Sequence, residues 1–262
     1  MHGTIRRVKK ILMPLAAAGA LVLLAGCGGN DDAGKPASNK SSTPAAVALT
    51  QAEFAPKVQA ALQSKGTFRV VTVTTDEGKP ATFTTDVKLT GKQADVLGTG
   101  DGSTVVRVGD QLYGKGEGIT DDSSKPWVKF DPATKDPMAG LSGVLIKVLE
   151  GQTSTHELIG GAAYASSFTS APGAAVGGAP TTAYTMTVDL PKATAAKALG
   201  GYITAEMVAE EKLTELTAKV SLDQDSLPRK IEFQVGTSTV VADFSNFGTP
   251  VTIAAPSAAE IA

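Results

Sequence analysis

The chain has 262 residues, with 24 basic and 26 acidic side chains, two histidines and one cysteine. A net charge of −2 gives no sign of the basic surface that a nucleic-acid partner requires, and none is expected. One cysteine excludes an internal disulfide, and a lone cysteine beside two histidines leaves no ordinary metal-ligand set, so no cofactor is expected.

In chain order, residues 1–10 carry Arg6, Arg7, Lys9 and Lys10 and no acid, and residues 11–25 are almost wholly apolar. This is the charged and then apolar pattern of a signal peptide. Its apolar run of 15 residues is shorter than the roughly 20 that a spanning helix needs. Leu24-Ala25-Gly26-Cys27 places a small pair directly before the only cysteine. That is a lipobox: the expected cut falls between Gly26 and Cys27, and the Cys27 thiol carries a diacylglyceryl group. Removing residues 1–26 leaves 20 basic against 26 acidic residues, a charge near −6. The acyl chains, not surface charge, are therefore expected to hold the protein to the extracytoplasmic face of the cell membrane. Residues 27–48 have almost no large apolar side chain and read as a tether, with a reach of about 25 Å.

Residues 49–262 suit one domain. Thr50-Gln51-Ala52-Glu53 is a capping box, and Phe54, Val58 and Leu62 follow at helical spacing up to Gly66. Pro56 predicts that the regular helix starts near it. Strands are predicted over 67–75, 81–90, 93–99, 103–108, 111–113 and 125–130. Phe68, Val70 and Thr72 oppose Arg69, Val71 and Val73, and Phe83, Val87 and Leu89 share a face. Asp136-Pro137 opens a second helix, over 136–150, with Met138, Leu141, Leu145 and Val148 on an apolar face wider than a surface helix needs. Then come a strand over 153–159, a loop over 160–182 and a strand over 183–190. A helix over 191–211, broken at Gly200-Gly201, precedes strands over 213–222, 230–235, 238–244 and 250–254. The fold class is α+β: one antiparallel sheet of roughly nine to eleven strands with about three helices. A sheet that long curls, and its concave face needs a cover.

Catalytic patterns are lacking. Gly98 to Gly102 lacks the lysine ending of a phosphate loop and reads as a hairpin turn. Asp223-Gln224-Asp225-Ser226 lacks the glycine and distal glutamate of a calcium loop and reads as a turn. His156 reads as a strand surface residue. The chain is not expected to be an enzyme.

Two stretches then carry a resemblance. Val105-Val106-Arg107-Val108-Gly109-Asp110-Gln111-Leu112-Tyr113 with Pro126-Trp127-Val128-Lys129-Phe130-Asp131 is the first, and Gly178 to Tyr184 running into Thr187-Val188-Asp189 the second. The closing run is fuller: Ser221-Leu222-Asp223, Leu227 to Ile231, Asp243 to Ile253, and Pro256. Together these resemble the LppX/LprAFG family of actinobacterial lipoproteins. The resemblance implies a half-barrel similar to the carriers LolA and LolB, with helices covering the concave face and an apolar cavity for lipid or lipoglycan. It also implies an envelope transport protein as a partner. Residues 161–177 look like an insertion relative to that family. Cavity residues are no motif of the family, so the cavity-lining candidates Met138, Leu141, Leu145 and Val148 rest on the apolar helix alone.

Two rival readings stand beside the carrier: a closed-core interaction module accessory to a membrane or envelope protein, and an envelope enzyme with carboxylates paired only in space. The anchor has its own test. Cys27→Ala is expected to abolish acylation and move the protein out of the detergent phase on partitioning. A variant that partitions like the wild type would indicate an uncleaved helical anchor.

Overall fold

The computed structural model describes residues 48–91, 93–117, 119–120, 122–130, 155–200 and 203–262. Among these, no helix is long and apolar enough to cross a membrane. The signal segment, Gly26, Cys27, the tether and the predicted helix over 136–150 lie outside the described residues.

Helix α1 (Gln51–Lys65) opens with the capping-box pair: the Glu53 carboxylate accepts from the Thr50 backbone N–H at 3.1 Å and from the Thr50 hydroxyl at 2.8 Å. Hydrogen bonds from the Thr50 backbone and side chain, then Lys57, pull the Glu53 carboxyl down to about 2. The helix starts at Gln51, ahead of Pro56, because the cap fixes the first turn and proline removes only one intrahelical bond. Gly66, at φ 73°, ends it.

Strands β1 (Thr67–Asp76), β2 (Lys79–Thr90), β3 (Gln93–Gly100), β4 (Ser103–Val108), β5 (Gln111–Lys115) and β6 (Val128–Phe130) form one antiparallel meander. Strands β7 (Ala165–Val176), β8 (Ala179–Asp189), β9 (Glu215–Leu222), β10 (Pro228–Val235) and β11 (Ser238–Ser245) form a second. Pairing of β1 with β11, from Arg69↔Ser245 to Thr75↔Thr239, joins them into a single open sheet of 11 strands, with β6 and β7 at its edges. Short helices α2 (Leu190–Ala195) and α3 (Ala205–Glu210) follow β8.

The strand alternation places Phe68, Val70, Phe83 and Val87 on one face, as expected. On that face α1 sinks Phe54, Val58 and Leu62 into a continuous core with residues of β1–β3, β8–β11, α2 and α3. The opposite face of β4–β6 carries its own cluster of Val106, Tyr113 and Trp127, covered by Ile253 and Ile261 of the C-terminal segment. Trp127 pairs there with Ile261.

Further expectations are corrected. The described part of the predicted strand 153–159 belongs to a 3-10 helix, Thr155–Tyr164. A Cβ on Gly160 would meet the Ala198 carbonyl at 2.6 Å, and one on Gly161 the Leu199 side chain at 2.7 Å, so close packing against the segment after α2 decides the conformation. The predicted loop 160–182 is largely the β7–β8 hairpin, turned at Gly177 (φ 57°) and Gly178 (φ 80°). Its small polar residues show no apolar alternation because β7 is an exposed edge; segment 161–177 is therefore mainly an integral strand rather than a mobile loop. Residues 250–254 form no strand, since Ile253 packs across the outer face. The sixth strand shrinks to Val128–Phe130.

Phe54 is fully buried and lies 5.4 Å from the Phe168 ring and 5.0 Å from the Tyr184 ring. Phe54→Ala is expected to lower stability by about 3–5 kcal/mol in urea unfolding. A loss below about 1 kcal/mol would mean that α1 is not fixed to the sheet through this residue.

Candidate functional site

The register puts Leu89 opposite Ala94, Val96 opposite Arg107, Arg107 opposite Leu112, and Leu112 opposite Phe130. All of these side chains therefore share the face on which α1 packs. Leu89, Ala94, Leu112 and Phe130 form the apolar floor of a cavity of about 1070 Å³. The second half of α1 supplies a wall through Gln59, Ala60, Leu62 and Gln63. Opposite it stand His156, Glu157 and Gly160 of the 3-10 helix, with Lys197, Ala198 and Gly200 from the segment after α2.

The walls are not uniformly apolar. Arg107 occupies an inward position on β4, where its Nε donates to the Ala94 carbonyl at 3.3 Å and its guanidinium lies 3.9 Å from the Glu157 carboxylate. Both side chains are only part-exposed, so solvent screens the pair less than it would at the surface. A smaller cavity of about 430 Å³ shares Arg107, Glu157, Lys197 and Gly200 with the larger one. The Arg107–Glu157 pair thus lies in the wall common to both. Gly200 has φ +61°, and a Cβ there would run into the Glu157 carboxylate.

His156 is not a strand surface residue. It is half-buried in the 3-10 helix, with its ring edge-on to Phe68 at 5.4 Å. The proposed turns hold. Asp101-Gly102 links β3 to β4, and Asp223 Oδ1 accepts from the backbone of Asp225 and Leu227 at 2.9 and 3.0 Å while its other oxygen receives Arg229. Trp127 faces away from the cavity, under Lys115 at 4.8 Å. No group of three metal-binding side chains occurs among the described residues.

Of the expected site residues, Gly26, Cys27, Met138, Leu141, Leu145 and Val148 all lie outside the described residues. Phe130 and His156, on either side of residues 131–154, both line the cavity. Sequence reasoning missed Arg107, Glu157 and Leu112. One signal was available: Arg107 breaks an inward run two residues after Val105.

Substitution at Gly200 tests this arrangement. Gly200→Ala combines a strained backbone with a collision against Glu157 and is expected to cost about 1–3 kcal/mol in urea unfolding. Arg107→Ala removes only a part-exposed pair and is expected to cost less than about 1 kcal/mol. The reverse order would show that the wall depends on the ion pair and not on close packing.

No family model matches this chain, and no curated protein matches it by sequence. Solved structures do. The lipoprotein LppX of Mycobacterium tuberculosis matches over 78% of this chain and 98% of its own, at a TM-score of 0.50 and 15% identity. LprF of Mycobacterium bovis matches over 78% and 97%, at a TM-score of 0.46 and 16% identity. The expected resemblance to the LppX/LprAFG family is matched at the level of architecture, and the chain has the fold of the lipoprotein LppX.

Proposed function

We propose that this chain is an extracytoplasmic lipoprotein, cut before Cys27 and anchored to the cell membrane by lipid on that residue. In this reading residues 1–26 are the signal peptide, 27–48 the tether and 49–262 a half-barrel domain. The domain binds and carries a lipid or lipoglycan within the cell envelope, without catalysis, and passes it to or from an envelope transport protein. The observation that carries the reading is the cavity of about 1070 Å³ over the apolar floor of β2–β6, in a sheet with the fold of LppX. Small-ligand sites typically measure about 300–1,000 Å³, so this one is large. An acyl chain on the floor gains about 0.8 kcal/mol per buried CH₂. Arg107, Asp110, His156, Glu157 and Lys197 offer a head group polar partners at the walls. Met138, Leu141, Leu145 and Val148 complete the apolar lining in this proposal.

One observation favours the alternative, a closed-core interaction module. Under α1 the core is filled: Phe54 and Val58 are fully buried against the sheet. Native mass spectrometry separates the two readings. A chain lacking residues 1–27, incubated with long-chain phospholipid or glycolipid, is expected to show bound lipid, and Leu112→Trp or Leu145→Trp is expected to reduce the bound fraction. If neither recombinant nor native-source protein ever carries lipid, the carrier reading fails and the interaction module stands.

A further inference from the structure

No charged residue occurs between Glu157 and Asp189, and these 31 uncharged residues include all of β7 and nearly all of β8. Most of β7 and the hairpin turn is exposed, including Ser170, Ala171, Ala174 and Ala175. The opposite arm of the sheet differs: its turns expose Asp101, Asp110, Glu117 and Asp122. A chain that carries a net negative charge therefore concentrates its neutral surface at one edge.

The polypeptide enters the domain at that same edge. The Leu49 amide donates to the Tyr184 hydroxyl of β8 at 2.9 Å, and the Gln51 side chain donates to the Ala162 and Ala165 carbonyls at 3.0 and 2.9 Å. From there α1 runs away from β7 towards the β2–β3 turn, where the Gln63 side chain donates to the Gly91 carbonyl at 3.0 Å. Fifteen residues span about 22 Å at 1.5 Å each. The cavity meets only the far half of the helix, from Gln59 to Gln63. Chain entry and cavity thus lie at opposite ends of α1.

We infer that the β7–β8 hairpin is the face this protein turns to the bilayer, with the cavity held on the side away from it. The inference rests on the Cys27 anchor proposed above. Twenty-one residues separate Cys27 from Leu49, so an anchored domain stays within about 25 Å of the surface on average. Wherever a face comes within a Debye length of the surface, about 8 Å in physiological salt, an anionic leaflet repels an acidic one. The uncharged edge approaches at least electrostatic cost, and it is also where the tether attaches. Strand addition by a second copy is the competing use of a free edge. It fits less well, because Pro172 lacks an N–H and the β7–β8 register shifts between Ala165 and Ser167 and again between Gly173 and Val176.

Fluorescence quenching measures the orientation. With Cys27 blocked by its own lipid, a single new cysteine takes the fluorophore. The acylated chain carrying Ser170→Cys or Asp110→Cys is reconstituted into vesicles of phosphatidylethanolamine and phosphatidylglycerol doped with brominated lipid. Stronger quenching at position 170 than at 110 is the expected result. Adding Ala171→Glu and Ala174→Glu, both at exposed positions, is expected to lower the membrane-facing population about fivefold per charge. Equal quenching at the two positions, or stronger quenching at 110, overturns the inference. So does a soluble dimer in sedimentation that the two glutamates dissociate. Mass spectrometry of Cys27 reports the anchor separately. If no acyl group is found, the anchor reading fails, and the same probes on a chain with hexahistidine in place of residues 1–27, held on nickel-chelating lipid, still decide which face turns inward.

Discussion

Everything in this domain depends on the pairing of its first strand with its last. β1 and β11 are separated by some 160 residues of chain, yet they share seven register pairs, from Arg69↔Ser245 to Thr75↔Thr239. Without that seam the molecule is two meanders, each with an apolar face and nothing to cover it. With it, Val70, Thr72, Ala242 and Phe244 form the middle of one surface, and α1 has a floor on which to bury Phe54, Val58 and Leu62. The Thr67 hydroxyl donates to the Thr249 carbonyl at 2.8 Å and the Gly248 amide donates to the Thr67 carbonyl at 2.9 Å, so the seam is tied just beyond the end of β11. Long-range pairing of this kind carries a loop-closure cost that is met before its contacts form.

The cavity follows from an imbalance along that surface. Over β1 and β8–β11 the inward side chains are large, and α1, α2, α3 and the 3-10 helix pack directly on them. Over β3 the inward position that meets the cavity is Ala94, which is too small to fill the space beside the second half of α1. Arg107 enters that space with its charge held by the Ala94 carbonyl and Glu157. A charge in a partly enclosed site needs such partners to offset its desolvation. The result is an apolar floor under polar walls.

The two edges of the sheet are protected differently. β6 is only three residues long, and Trp127 just before it is clamped by backbone bonds with Glu260 and Ala262. Among the described residues the long edge β7 has no such cover; its proline and two register shifts interrupt the pattern that another strand would need. Among the described residues one edge is covered and the other is uncharged and exposed, which gives the sheet two unlike ends.

The sequence by itself determined the local structure wherever one residue type answers one local need. The capping box at Thr50 and Glu53, the four-residue spacing of Phe54, Val58 and Leu62, the alternation around Phe68 and Val70, and the turns at Asp101-Gly102 and Asp223 were all legible, because each rests on backbone geometry and neighbours a few residues away. The Leu24-Ala25-Gly26-Cys27 pattern behind the proposed anchor is a signal of the same local kind. Only the tertiary structure decided the rest. β7 is a strand because β8 supplies its hydrogen-bond partners, not because Ala, Ser and Thr alternate. Residues 155–164 wind into a 3-10 helix because Gly160 and Gly161 admit the segment after α2. Arg107, Glu157 and Lys197 share a wall because the assembled sheet brings β4 beneath two elements from the second half of the chain. Burial and proximity across such distances are properties of the assembled sheet, and no window of sequence contains them.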